Sequence, residues 1–206
     1  MASSSRVPSL PVQVPRYQIT WSTPAGALLA IEPRPEEVKR YAGVLAAAYN
    51  DPHNAPLLGH TKPLGEPDVV AHYAALASHG DRGFLVLADD KLVGDGDLRN
   101  VSRGAAEFAF LVAEVAAQGK GLGTRIATMI HAFAFSQLRL ARVYASIVPQ
   151  NVASRRVFEK LGYVVETSLV ALASADDPGD ITMAIDRSVF TRSHAAPMAE
   201  IEISVR

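Results

Sequence analysis

Three sets of residues have the types and spacing to do chemistry. The first is Gln118-Gly119-Lys120-Gly121-Leu122-Gly123-Thr124. Its glycines carry no Cβ to block close approach and tolerate positive φ, and a helix starting here leaves its first N–H groups without intrahelical partners. Combined with the partial positive charge of the peptide dipoles, this describes a main-chain cradle for a phosphate or pyrophosphate. A plain strand-to-helix turn uses the same glycines. The second is Glu107, a carboxylate in the otherwise apolar run 107–112. It is costly to bury unless paired or used, although strand alternation also allows it an outward place. The third is Asn151, three residues before Ser154, an N-cap by residue type and position.

Spacing excludes two familiar cradles. A nucleotide-hydrolase loop needs Gly-x-x-x-x-Gly-Lys followed by Ser or Thr, and no Lys-Ser or Lys-Thr pair follows the last glycine. A dinucleotide fingerprint needs Gly-x-Gly-x-x-Gly, whereas Gly119, Gly121 and Gly123 run Gly-x-Gly-x-Gly.

The elements that must position these residues follow from periodicity. Residues 107–112 read as a buried strand, and after the glycines Leu122, Ile126, Met129, Ile130 and Phe133 share one face of a 3.6-residue period. Residues 142–148 form the next strand, Asn151 opens a helix that Gly162 ends, and extended segments follow at 163–170 and 180–185. Upstream, strands are expected at 17–23 and 27–31, a helix from Pro35 to about residue 48, a second helix at 66–78, and a hairpin joining 84–87 to 92–98. Between the first two helices, 49–66 contains three prolines and two glycines, and a loop of that length in a compact domain is usually functional or disordered. The pattern predicts an α/β or α+β mixed sheet with helices on its faces. Trp21, the only tryptophan, reads as a buried anchor for the N-terminal arm. The alternating segment 199–205 is expected to pair with strand 17–23 or with another subunit, which raises the question of a homodimer.

Composition narrows the class. A chain of 206 residues can bury about two-thirds of its unfolded surface in one domain. That domain is placed at 24–187, between an N-terminal arm at 1–23 and a C-terminal arm at 188–206 that each offer an extra strand. With 49% hydrophobic and 20% charged residues the chain is expected to be globular. A net charge of −1 supplies no global attraction to nucleic acid or to an anionic membrane. The absence of cysteine removes thiol catalysis and thiolate metal sites. No apolar run approaches 18 residues and prolines interrupt the N-terminus, so a soluble cytoplasmic protein is expected.

The remaining polar candidates have plainer readings. His53, His60 and His72 lack acidic co-ligands, and no metal site is expected. His131 lies beside the apolar face of its helix and reads as packed. Asp95, Asp97 and Arg99 share one side of a strand and read as a solvated face, with contact to a cationic substrate near the cleft as the alternative. Arg155 and Arg156 read by default as helix-surface charges, with contact to the phosphates of a bound cofactor as the alternative.

The pattern [Gln/Arg]-x-x-Gly-x-[Gly/Ala], met by Gln118, Gly121 and Gly123, resembles the acyl-coenzyme A pyrophosphate loop of the GNAT acetyltransferase superfamily. Asn151, Ser154, Val157, Phe158, Glu159, Lys160, Leu161, Gly162 and Tyr163 resemble its second coenzyme A motif, most like the branch of ribosomal-protein N-terminal alanine acetyltransferases. The two motifs have the right order, with one strand between them. The resemblance implies a mostly antiparallel sheet of six to seven strands, splayed between the fourth and fifth, with about four helices. It also implies acetyl-coenzyme A as co-substrate, held by main chain at Leu111, Val112 and Ala113, by residues 118–124 and at Asn151. Glu107, eleven residues before Gln118, falls where the family often keeps its general base, and a partly buried carboxylate there would have a raised pKa. The implied activity is N-acetylation of an amine by direct attack in a ternary complex, with the Val112 N–H polarising the carbonyl. The acceptor is a polypeptide N-terminus or a small amine such as a polyamine or aminoglycoside. Many relatives place an acidic Tyr where this chain has Phe158, leaving Ser154 or a water as proton donor. That departure supports the alternative of a non-catalytic acyl-coenzyme A sensor module.

Overall fold

The computed structural model describes residues 14–59, 62–168 and 177–206. In chain order the elements are β1 (Tyr17–Thr23), β2 (Gly26–Ile31), α1 (Pro35–Asn50), α2 (Asn54–Leu57), α3 (Glu66–His79), β3 (Arg82–Ala88), β4 (Lys91–Ser102) and β5 (Ala105–Val112). A 3-10 turn (Val115–Ala117) leads to α4 (Leu122–Ser136), β6 (Arg142–Ile147), α5 (Val152–Leu161), β7 (Val164–Val165), β8 (Ile181–Asp186), α6 (Arg187–Ser193), α7 (Ala195–Glu200) and β9 (Glu202–Val205).

The local signals explain the helix starts. Pro35 occupies the first turn of α1, where its missing N–H costs nothing, and the Glu37 carboxylate accepts from the Arg34 N–H at 2.7 Å. On α3, Val69, Tyr73 and Leu76 are buried at helical spacing.

Among the described residues the strands form one nine-stranded sheet in the order β7-β8-β6-β5-β4-β3-β2-β1-β9. Every neighbouring pair is antiparallel except β5 and β6. The expected six to seven strands are β2 to β8, and the terminal arms supply β1 and β9. Among the described residues, α1, α3, α4 and α5 are the long helices, and three short ones join them. One apolar core lies between the sheet and α4, built from Phe84, Phe108, Ile126, Ile130 and Phe133 among others, and a second lies under α1 and α3 around Leu45, Tyr73 and Leu85. Close approach of α4 to β4 depends on a glycine: a Cβ at Gly96 would sit 2.7 Å from Ile130 Cδ1.

The C-terminal segment differs from its expectation. Strand structure starts only at Glu202, because residues 187–200 form α6 and α7, which cover the far side of α4. Consequently α4 is buried on both faces, and His131 and Phe135 pack against Phe190 of α6. The strand itself pairs with β1 of the same chain, Ile19 opposite Ile203. The arms are latched at both ends, where Trp21 Nε1 donates to Glu200 at 3.0 Å and Arg206 donates to Glu37 at 2.7 Å. Trp21 is the buried anchor expected of it. Residues 163–170 are strand only over β7, and residues 169 and 170 lie outside the described residues.

Candidate functional site

Two strands that start together and then part create the site. β5 and β6 are joined over three residue pairs, Ala105 with Arg142, Ala106 with Val143 and Glu107 with Tyr144. Beyond Glu107, β5 keeps its register with β4 as far as Val112, and β6 keeps its register with β8 as far as Ile147. The gap between them is the splay expected between the fourth and fifth strands of the domain, here β5 and β6.

Strand alternation decides which main-chain groups look into this gap. The Leu111 carbonyl points at Gly94 and the Ala113 N–H donates to Val93 at 2.9 Å, so both face β4. Val112 therefore directs its N–H and C=O toward the splay, and its carbonyl accepts from Gln118 Nε2 at 3.2 Å. Of the three main-chain contacts expected at Leu111, Val112 and Ala113, the geometry singles out Val112.

The glycine run leaves open space at a helix start. Gly119 and Gly121 have φ of 73° and 87°, and a Cβ on either would meet nothing within 4 Å, so the space in front of both is open. Gly121 is the N-cap of α4, which places the N–H groups of Leu122, Gly123 and Thr124 at the helix start. The cleft has a volume of about 260 Å³. Of the residues singled out from sequence, Leu111, Val112, Gln118, Gly119, Gly121, Gly123, Thr124, Asn151 and Ser154 line it. Lys120 is exposed beside it and Leu122 turns partly into the core. Arg156 and Lys160 of α5 also reach the cleft, whereas Arg155 pairs with Glu159 at 2.9 Å.

Asn151 does two jobs. Its Oδ1 accepts from the Ser154 N–H at 2.9 Å and caps α5, and its Nδ2 donates to the Leu57 carbonyl at 2.9 Å. Phe158 is buried, packed against the rings of Phe108, Phe110 and Tyr163. The Tyr163 hydroxyl meets His131 Nε2 at 2.5 Å, and burial pushes that histidine down to about 4.

Glu107 lies at the root of the splay and is only 3% exposed. It is paired rather than partly solvated: Arg99 Nη2 donates to its Oε1 at 2.7 Å and Asn100 Nδ2 to its Oε2 at 3.4 Å. The guanidinium offsets the charge that burial alone would penalise. Glu107, Asp95, Asp97 and Arg99 occupy one sheet face by register, Arg99 opposite Glu107 and Asp95 opposite Leu111.

That face corrects the sequence reading of Asp95, Asp97 and Arg99 as solvated, because α1 and α3 lie across it. Asp95 is 4% exposed, and its Oδ2 accepts from the hydroxyls of Tyr49 at 2.5 Å and Tyr73 at 3.1 Å. Asp97 bonds His72 at 3.1 Å and pairs with Arg99 at 3.3 Å. Burial pushes the Asp95 carboxyl up to about 7, with the tyrosine bonds opposing and nearby Asp97 adding to the rise. The His72 imidazole is raised by its bond to Asp97.

A stability prediction follows. Between pH 3.8 and about 7 the folded protein holds a proton on Asp95 that the unfolded chain releases, so this group's contribution falls as pH rises through that window. At about 1.4 kcal/mol per pH unit, the loss by pH 8 is roughly 4 kcal/mol. Asp95→Asn retains an oxygen for both tyrosines and removes the charge. Its thermal midpoint should exceed that of the native chain by several degrees at pH 8 and converge with it near pH 4. Depressed His131 has the opposite sign, losing stability as pH falls from 6.5 toward about 4, but it is common to both proteins and cancels in the difference. A variant less stable than the native chain at pH 8 would contradict this account.

Sequence reasoning missed Asn54, Leu57 and Leu58, which line the cleft from the α1–α3 connection. A single helical turn in a proline-rich stretch carries no periodic signal. No group of His, Asp or Glu suited to a metal occurs among the described residues, and no helix among them is long and apolar enough to cross a membrane.

Comparison with known proteins gives a consistent result. Residues 25–164 match the family model described as "Acetyltransferase (GNAT) domain". The chain is 36% identical over 83 residues to the probable N-acetyltransferase YjcK of Bacillus subtilis (strain 168), covering 39% of this chain and 46% of that one. It is 30% identical over 92 residues to the spermidine N(1)-acetyltransferase of Escherichia coli (strain K12), covering 44% and 49%. These matches span about half the length of those curated relatives. Mycobacterium smegmatis RimJ, solved in complex with CoA-disulfide, shares the fold with a TM-score of 0.67 at 20% identity, covering 90% of this chain and 96% of that one.

Proposed function

Given that this chain belongs to the GNAT acetyltransferase family, we propose that its cleft binds acetyl-coenzyme A and that the protein is an N-acetyltransferase acting on a primary amine. The observation that carries the reading is the open cradle at Gly119 and Gly121, set at the start of α4 and continuous with the β5–β6 splay.

Bound acetyl-coenzyme A supplies an acyl thioester, and the chain supplies position and proton transfer. The N–H groups at 119–124 hold the pyrophosphate, with Arg156 and Lys160 as flanking cations. The Val112 N–H is the main-chain donor for the acetyl carbonyl. Glu107 takes a proton from the acceptor ammonium, directly or through water. The neutral amine forms the new N–C bond as the C–S bond breaks, and the second proton that nitrogen gives up passes through Ser154 or a water beside it to the departing sulfur. For the acceptor, the spermidine-acetylating relative supports a small polyamine, and a polypeptide N-terminus is the second candidate.

Calorimetric titration tests the first half of this reading: coenzyme A and acetyl-coenzyme A should bind the native chain with one site each. Thiol release with spermidine and with an alanine-initiated peptide as probes tests the second. A chain that fails to bind coenzyme A would remove the enzymatic reading entirely. One observation favours the non-catalytic sensor instead, namely the engagement of Glu107 by Arg99, and binding without turnover of any amine would support it.

A further inference from the structure

The four-residue helix α2 is too short to be stable by itself, yet it is gripped from both sides by the leading residues of the two cofactor motifs. On one side, Gln118 Nε2 donates to Asn54 Oδ1 at 2.9 Å. On the other, Asn151 Nδ2 donates to the Leu57 carbonyl at 2.9 Å. α2 thus bridges the β5 and β6 sides of the splay, and Leu57 and Leu58 form part of the cleft wall.

Asn54 is 2% exposed, and both ends of its amide are used. Its Nδ2 donates to the Ala48 carbonyl in the last turn of α1 at 2.9 Å. The next residue, Tyr49, donates its hydroxyl to Asp95 on the buried acidic face. Gln118 also holds the Val112 carbonyl. A continuous chain of contacts therefore runs from Val112 at the splay through Gln118 and Asn54 to the end of α1, and on through Tyr49 to Asp95.

We propose that α2 couples occupancy of the cofactor cleft to the last turn of α1 and the buried Asp95 face it covers, with Asn54 as its positioning residue; this rests on the reading that the cleft takes coenzyme A. A ligand that immobilises Gln118 and Asn151 removes freedom from α2 and from the last turn of α1, and by linkage an ordered α2 strengthens binding of that ligand by the same factor. The side chain of Asn54 suits this role because one amide accepts from the cofactor loop and donates to α1.

The test compares the full-length native chain, Asn54→Ala and Asn151→Ser. Serine keeps an N-cap acceptor for α5 but cannot reach the Leu57 carbonyl, so the second variant decides the matter if the first fails to fold. Coenzyme A is titrated calorimetrically, and amide hydrogen exchange is followed with and without saturating coenzyme A. In the native chain, coenzyme A should slow exchange across 44–58 by about tenfold. Each variant should bind coenzyme A about tenfold more weakly, keep the protection of 119–126 and lose that of 44–58. A native chain that binds coenzyme A without protecting 44–58, or variants with undiminished protection there, overturns the coupling and leaves the cofactor reading intact. Failure of the native chain to bind coenzyme A overturns both.

Discussion

Glutamate at both Gly121 and Gly123 should abolish detectable binding of coenzyme A while leaving the chain folded. Gly121 has a φ of 87° with nothing within 4 Å of a Cβ position, so a side chain there costs about 1–2 kcal/mol of backbone strain without a steric clash. Its carboxylate would lie in the open space that the anion is proposed to occupy, at a helix start whose N–H groups it would capture for itself. Gly123 is tighter, with a Cβ 2.9 Å from Phe110 Cε2, a ring edge that borders the cleft. The two changes together should raise the dissociation constant at least about 100-fold, equivalent to roughly 2.7 kcal/mol. Calorimetry measures the loss, and a native-like circular dichroism spectrum verifies folding. Affinity equal to that of the native chain would show that coenzyme A does not use this loop.

The second large effect is expected from Glu107→Gln. The amide oxygen can still accept from Arg99, and Arg99 retains Asp97 as a partner, so the sheet should persist. Proton abstraction from the acceptor is lost. With a turned-over amine in hand, kcat should fall about 10²- to 10⁴-fold, the range for removal of a general base, with the coenzyme A dissociation constant unchanged. A normal kcat would return Glu107 to the role of a buried ion-pair partner and strengthen the sensor reading. The outcome matters because the Arg99 contact makes both roles physically reasonable at this position.

Much of this protein was determined by sequence alone. The glycine run with Gln118, the Asn151 cap and the apolar periods on either side specify a strand, a glycine turn, a helix, a strand and a second helix, because each rests on local rules of backbone freedom and side-chain period. Tertiary structure alone decided what depends on contacts between distant segments. Whether Asp95, Asp97 and Arg99 face water depended on α1 and α3 lying across them, and alternation along a strand cannot distinguish a covered face from an open one. Whether β9 would pair with β1 or with another chain depended on how α6 and α7 route the C-terminus past α4. The bridging role of Asn54 joins positions 64 residues apart in the chain. A lone asparagine in a proline-rich loop has no local pattern that announces such a partner, since only the folded sheet brings Gln118 within reach.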